Sequence, residues 1–279
     1  MAEQPETREF HYTRSDFERV RGMLYKRSGI SLSDSKDQMV YSRLARRLRA
    51  LRLNSFTDYF DYMSQNDNEW QQFTNALTTN LTAFFRENHH FEQLAKHLRQ
   101  HAHGARKQRI WCSAASTGEE PYSLAITAIE AFGRNNPPVE IIASDIDTGV
   151  LATAEAGIYS DSRVEQLSLE RKKRFFLRGK GSNQGKVCVR DELRDLIEFR
   201  QINLLGEQWG IEPGLDIIFC RNVMIYFDKP TQSKLLERMV QLLRSDGLFF
   251  AGHSESFVQA THPVKLIGRT VYKPVGTRP

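Results

Sequence analysis

Residues 110–125 read IWCSAASTGEEPYSLA. An apolar start, Ile110 to Cys112, gives way to small residues, and a helix pattern resumes after Gly118. Strand, tight turn and helix in that order open a nucleotide-binding α/β unit, in which the ligand lies against the turn. A turn that cradles phosphate is rich in glycine, because bare backbone must approach the ligand. This one has Gly118 alone, followed at once by Glu119 and Glu120. Two adjacent carboxylates repel a pyrophosphate and favour a nucleoside with cationic substituents. They also suit the positive N-terminus of the following helix, and both roles can hold at once.

Working outward, the same grammar repeats. PVEIIASDID is a strand, TGVLATAEAGIY a helix, LDIIFCRNV a strand, PTQSKLLERMVQLLRSDG a helix and LFFAGHS a strand. Near-continuous apolar strands alternating with helices predict a parallel sheet covered on both faces. The tail VKLIGRTVYKPV breaks the alternation at Gly268-Arg269, which predicts an antiparallel pair at one sheet edge. FFLRGKGSNQGKVCVRDELRDLIEFRQ has three glycines, then alternation at Val187 and Val189 and at Ile197 and Phe199. It reads as a small antiparallel sheet inserted over residues 174–201. Ligands of such sheets sit beyond the carboxyl ends of the strands. Asp145, at the end of the second strand, therefore reads as a ribose ligand, while Asp147 better fits the N-cap of the next helix.

The first hundred residues read as helical. Phe17, Val20, Met23 and Leu24, then Val40, Leu44, Leu48 and Leu51, form stripes at helical spacing, with Gly29 as a stop and Ser55 as an N-cap. The expected organisation is a helical domain over 1–80, a linker and helix over 81–105, and an α/β domain over 106–279. Arg43, Arg46, Arg47, Arg49 and Arg52 crowd a span without an acid between Asp37 and Asp58, and fall outside the apolar stripe. An anionic partner or a solvated face are both open for them. In the linker, TNLTAFFRENHHF (79–91), Phe84 and Phe85 read first as a staple between helices and sheet, with Asn80, Thr82 and Arg86 as polar groups within reach of a ligand mouth.

The bulk numbers bound the class. A chain of 279 residues with net charge +5, 40% apolar and 26% charged, is ordinary for a globular protein of one large or two modest domains. No apolar run approaches the roughly 18 residues of a membrane span, and MAEQPETREF has no secretory character. Cys112, Cys188 and Cys220 form no C-x-x-C pair, so neither a metal framework nor disulfides are expected, and a reducing cytoplasm is the default.

TTNLTAFFRE, SAASTGEEPYS, ASDIDT, INLL, FCRNVMIYFD and DGLFFAGHSE, in this order, resemble the chemotaxis receptor methyltransferase family, CheR. The resemblance covers nearly the whole chain. It implies a Rossmann-like class I methyltransferase domain using S-adenosylmethionine, a phosphate-free nucleoside bearing an ammonium and a sulfonium, and leaving S-adenosylhomocysteine. It implies methyl transfer to glutamates on the cytoplasmic helices of transmembrane chemoreceptors, with the enzyme recruited to membrane receptor arrays. By position, Asn80, Thr82 and Arg86 match residues near the methionyl end of the cofactor. Glu120 matches the ammonium ligand, Asp145 the ribose ligand, Asn203 and Leu204 the adenine surroundings, and Arg221 and Asn222 the pocket after the fourth strand. Arg86 and Tyr226 match two residues beside the transferred methyl, which displaces the staple reading for Arg86. LRGKGSNQGKVCVRDEL resembles the version of the inserted sheet that docks a C-terminal receptor pentapeptide, through Arg178, Gly179, Gly181, Gly185, Val187 and Val189. Cys188 stands where that version carries a basic residue. The arginine helix then faces acidic receptor helices.

Two rivals are distinguishable on the residues. An amino-group nucleic-acid methyltransferase wants a [DNS]-P-P-[YF] turn, but Arg221-Asn222-Val223-Met224 stands there, and a pyrimidine C5 enzyme wants Pro-Cys where Phe219-Cys220 stands. A cofactor-sensing adaptor without catalysis is disfavoured by the intact Arg86, Asp145 and Tyr226.

Overall fold

The computed structural model describes residues 8–102, 106–257 and 263–275. The chain divides into two compact units, Met1–Thr79 and Asn80–Pro279.

The first unit is helical: α1 (Arg14–Ser28), a 3-10 turn over Asp34–Lys36, α2 (Asp37–Leu51), α3 (Phe56–Ser64) and α4 (Asp67–Leu77). Local chemistry sets the ends. Thr13 and Asp16 form a capping box on α1, and Gly29 closes it in the left-handed conformation; Ser55 and Asn66 cap α3 and α4 by accepting from Asp58 and Glu69 amides. Phe17, Val20, Leu24, Val40, Leu44 and Leu48 are fully buried among Phe56, Tyr59, Phe60 and Phe73. Two arginines expected on the open face of α2 are instead fixed within the unit. Arg47 grips Glu69 with two bonds of 2.9 and 2.7 Å, and Tyr59 also donates to that carboxylate at 2.9 Å. Arg43 donates to the Thr78 carbonyl at 2.5 Å and to Ala76 at 3.2 Å, serving the otherwise orphaned carbonyls that end α4. Arg46, Arg49 and Arg52 are exposed, with Arg49 paired to Glu9 at 2.9 Å.

The second unit runs α5 (His89–Gln100), β1 (Gln108–Cys112), α6 (Glu119–Phe132), β2 (Val139–Asp145), α7 (Thr148–Ala156), β3 (Ile158–Ser160), α8 (Leu169–Phe175), β4 (Phe176–Arg178), β5 (Lys186–Val189) and α9 (Asp191–Arg194). It continues through β6 (Ile197–Gln201), β7 (Leu215–Cys220), α10 (Lys229–Leu242), β8 (Leu243–Ala251), β9 (Val264–Gly268) and β10 (Val271–Pro274). Seven strands form one sheet in the order β6-β2-β1-β7-β8-β10-β9. The first five are parallel, and β10 and β9 add antiparallel at one edge, as the tail predicts. Alternate residues feed two cores: Ile110, Cys112, Ile217 and Phe219 on one face, Trp111, Ile218, Cys220 and Phe249 on the other. The chain winds outward in both directions from the β1–β7 pair, so the switch point lies over the ends of those two strands.

The small antiparallel sheet exists but is placed differently at both ends. Its order is β3-β5-β4, so Ile158–Ser160, expected as the end of a helix, supplies an outer strand. Gly157, at φ 59°, ends α7 and releases the chain into it. Ile197–Gln201, expected in the insertion, pairs parallel with β2 in the large sheet. As an edge strand it covers only one face well, which gives the alternation of a half-exposed strand.

Candidate active site

The turn from Cys112 to Glu119 makes most of its own hydrogen bonds. Amides of Ser113, Ala115 and Gly118 donate to carbonyls of Phe219, Ser144 and Ala115, and the Ser116 amide donates to Asp145 at 2.8 Å. A phosphate loop aims such amides at its ligand; here protein acceptors already take them. Gly118 has φ 99°, and a Cβ there would lie 2.7 Å from the Tyr159 hydroxyl and 2.9 Å from the Ala154 methyl. One glycine suffices, and it is required by packing as well as by backbone.

Asp145 ends β2 beside this turn. It is 8% exposed, and its two oxygens accept from the Ser116 and Asp147 amides at 2.8 and 3.0 Å. Burial pushes its carboxyl up to about 6, with the amides opposing. Asp147 caps α7 by accepting from Gly149 and Val150, and its second oxygen takes the Asn80 amide at 2.8 Å. The Asn80 carbonyl accepts from Ser116, so Asn80 ties the start of the linker to both the first and second strand ends.

Glu120 and Arg221 meet over the switch point. Arg221, at the end of β7, donates to Glu120 at 2.7 Å and to the Arg86 carbonyl at 2.6 Å, and lies 3.3 Å from Glu87. The Cys112 thiol donates to the other Glu120 oxygen at 3.3 Å. Burial raises the Glu120 carboxyl, opposed by the Arg221 charge. Glu119 turns away, to Thr117 at 2.6 Å and Arg163 at 2.9 Å, so the two acids are not equivalent. Arg163 also donates to the Thr82 carbonyl at 3.3 Å, holding the linker against the turn. Arg86 donates to the Leu81 carbonyl at 2.9 Å. Glu87, His89 and His90 present possible ligand atoms within 4.8 Å of one another. Arg221 already faces that carboxylate, so a cation there would meet a fixed positive charge. Burial, with Arg221 and His89 nearby, lowers His90 to about 4 and keeps it neutral.

Beyond Arg221 the chain turns sharply. Asn222 is at φ 59°, and a 3-10 turn over Met224–Tyr226 presents half-buried Tyr226. Glu255, 4% exposed and given no role by the sequence, accepts from the amides of Asn222, Met224 and Gly252 at 3.0, 2.8 and 2.6 Å. Its signals in the sequence are its position just past the end of β8 and its place at the end of DGLFFAGHSE. Phe85, Glu87, Ser116 and Asn222, all at this end of the sheet, are four of the six non-glycine residues with positive φ among the described residues. Such conformations concentrate where a site is held in a set geometry.

Asn203 follows β6, its side chain accepting from the Leu205 amide at 3.0 Å. Leu204 is buried in the second core with Trp111 and Met224, so any ligand contact from it is through neighbours or main chain. In the small sheet, Val187 and Val189 lie on the central strand and point into the core, while Arg178 is exposed on an outer strand. Gly179 closes the β4–β5 hairpin by donating to the Lys186 carbonyl at 2.8 Å, and Gly181 and Gly185 have φ of 58° and 79°.

Residues 80–273 match the family described as CheR methyltransferase, SAM binding domain, and residues 15–78 match the CheR methyltransferase all-alpha domain. The chain belongs to the CheR methyltransferase family. It is 63% identical over 266 residues to chemotaxis protein methyltransferase 2 of Pseudomonas aeruginosa, covering 95% of each chain. It is 52% identical to the chemotaxis protein methyltransferase of Salmonella typhimurium, covering 92% of this chain and 88% of that one. With the Escherichia coli protein of the same name it shares 48% identity, covering 92% and 89%. The CheR cofactor is S-adenosylmethionine, and the residues here fit it: a self-satisfied turn offers no phosphate cradle, while buried Glu120 and Asp145 offer acceptors for an ammonium and a ribose. No helix among the described residues is long and apolar enough to cross a membrane.

Proposed function

We propose that the chain methylates glutamate side chains on the cytoplasmic helices of chemoreceptors in bacterial chemotaxis, acting in the cytoplasm at membrane receptor arrays. The observation that carries the chemical half of this reading is the pairing of buried Glu120 and Asp145 around a turn whose amides are already taken. When bound, S-adenosylmethionine supplies an electrophilic methyl group on a sulfonium and leaves as S-adenosylhomocysteine. Glu120 takes the ligand ammonium, sharing its charge with Arg221, and Asp145 accepts from the ribose. Asn80, Thr82, Asn203, Leu204 and Asn222 line the remainder.

A glutamate acceptor, with an ordinary pKa near 4.3, is ionised at neutral pH and needs no general base. The chain's task is to orient that carboxylate and exclude water. Arg86 and Tyr226 take this role. A guanidinium gripping both carboxylate oxygens would blunt the nucleophile, so the contact orients more than it neutralises. Under saturating receptor and cofactor, Arg86→Ala and Tyr226→Phe should each lower kcat; if both left it unchanged, the assignment is wrong.

Two surfaces serve the receptor. Exposed Arg46, Arg49 and Arg52 face its acidic helices, with Arg43 and Arg47 supporting them from within the unit. The small sheet receives the C-terminal pentapeptide as an added strand at an edge, drawing affinity from the main chain. Methylation of a receptor fragment should slow when its C-terminal peptide is removed, and equal rates would remove the docking role.

A further inference from the structure

The turn that carries Tyr226 is gripped by side chains from two different elements. From the loop after β8, Glu255 accepts from the Asn222 amide at 3.0 Å and the Met224 amide at 2.8 Å. From α10, the Gln232 amide donates to the Met224 and Phe227 carbonyls, both at 2.9 Å. Within the turn, Tyr226 and Phe227 amides donate to Val223 and Met224 carbonyls at 3.1 and 3.0 Å. Donors are thus taken by an acid and acceptors by an amide, each of the right polarity and from a different element. The Tyr226 side chain makes no hydrogen bond within the described residues, so the polar contacts here fix the backbone that carries it.

The grip is close as well as polar. Gly252 donates to Glu255 at 2.6 Å, and a Cβ on Gly252 would lie 2.5 Å from the Asn222 side-chain nitrogen and 2.7 Å from its amide. The loop after β8 therefore presses against the left-handed Asn222, and Glu255 is buried between them. A buried carboxylate whose oxygens serve three amides is costly to rearrange.

We propose that Glu255 and Gln232 are positioning residues for methyl transfer, holding the Asn222–Phe227 turn so that Tyr226 meets the acceptor carboxylate. This rests on the reading of Tyr226 given above. Neither residue contacts the reacting groups; both act through the turn, so they matter only while the Tyr226 hydroxyl does.

A double-mutant cycle tests this on the full chain. Gln232→Leu, at a half-buried site, keeps bulk and removes both bonds. It should lower kcat roughly tenfold, since small misplacements at a reacting centre are costly. S-adenosylhomocysteine affinity, by calorimetry, should stay within about twofold. In a Tyr226→Phe background the same change should cost less than about twofold, because partners in one unit are non-additive. Glu255→Gln, which sets an amide against backbone donors, should show the same non-additivity in kcat with a larger loss, and should also weaken S-adenosylhomocysteine binding because Glu255 holds Asn222 as well. If Tyr226→Phe lowers kcat but Gln232→Leu costs an equal factor in both backgrounds, the positioning role is overturned and the Tyr226 reading stands. If Tyr226→Phe alone leaves kcat intact, the parent reading falls and this one with it.

Discussion

Arg221 donates to Glu120 at 2.7 Å, joining the end of β7 to the first turn of α6 through two buried side chains. Burial raises the Glu120 carboxyl above its ordinary value, and the Arg221 charge opposes that rise. A ligand ammonium arriving there meets an acceptor that is fixed in place and only partly neutralised.

Glu120→Gln should therefore weaken S-adenosylhomocysteine binding about tenfold or more, as befits loss of a charge-assisted bond. Methylthioadenosine, which has no ammonium, should bind the variant within about twofold of the parent. Calorimetry with both ligands checks this, and equal losses for the two would remove the ammonium contact.

Asp145 gives a pH dependence of defined sign. Its folded value, about 6, lies above the ordinary value near 3.9. Between those values the folded chain holds a proton that the unfolded chain lacks. The stability this group contributes is complete below about pH 4 and is lost as pH rises through 6. Cofactor affinity runs the other way, because the ionised carboxylate is the better acceptor for ribose hydroxyls. Binding of S-adenosylhomocysteine should strengthen several-fold between pH 5 and 7, and Asp145→Asn should flatten that profile.

Gly118 is held by both φ 99° and the 2.7 Å approach of the Tyr159 hydroxyl. Gly118→Ala should cost about 1–3 kcal/mol from the backbone conformation alone. The thermal midpoint and cofactor affinity should fall together, since the displaced segment also carries Ser116 and Glu120.

The arginines of α2 should separate into two behaviours. Arg47→Ala leaves Glu69, 4% exposed, without its charge partner, and should cost about 2–4 kcal/mol. Charge reversal at Arg46 and Arg52, both exposed, should leave the midpoint within about 0.5 kcal/mol while raising KM for receptor and reducing its salt sensitivity. Denaturant unfolding and methylation kinetics across ionic strength resolve the two.

Much of this was legible in the sequence because periodicity reports burial. The stripes of α1 and α2 bury Phe17, Val20, Leu24, Val40, Leu44 and Leu48 and leave Met23 and Leu51 partly buried, while the apolar runs of β1, β2 and β7 are buried almost throughout. Ile197–Gln201 misleads for the same reason: an edge strand of a parallel sheet alternates as an antiparallel strand does. The partners of Arg47, Glu120 and Glu255 lie 22, 101 and 33 residues away, and no local pattern announces contacts of that range. Glu255 closes the stretch DGLFFAGHSE, but a lone acid past a strand end carries no role until the amides it serves are seen.

Methyl transfer from labelled S-adenosylmethionine to a chemoreceptor cytoplasmic fragment, followed by mild base, reads acceptor and bond type together. Label should appear on receptor glutamates and be released as volatile methanol, with transfer slowed in Tyr226→Phe and in Arg86→Ala. Cofactor binding without transfer to receptor, or label that resists base, would contradict methylation of receptor glutamates.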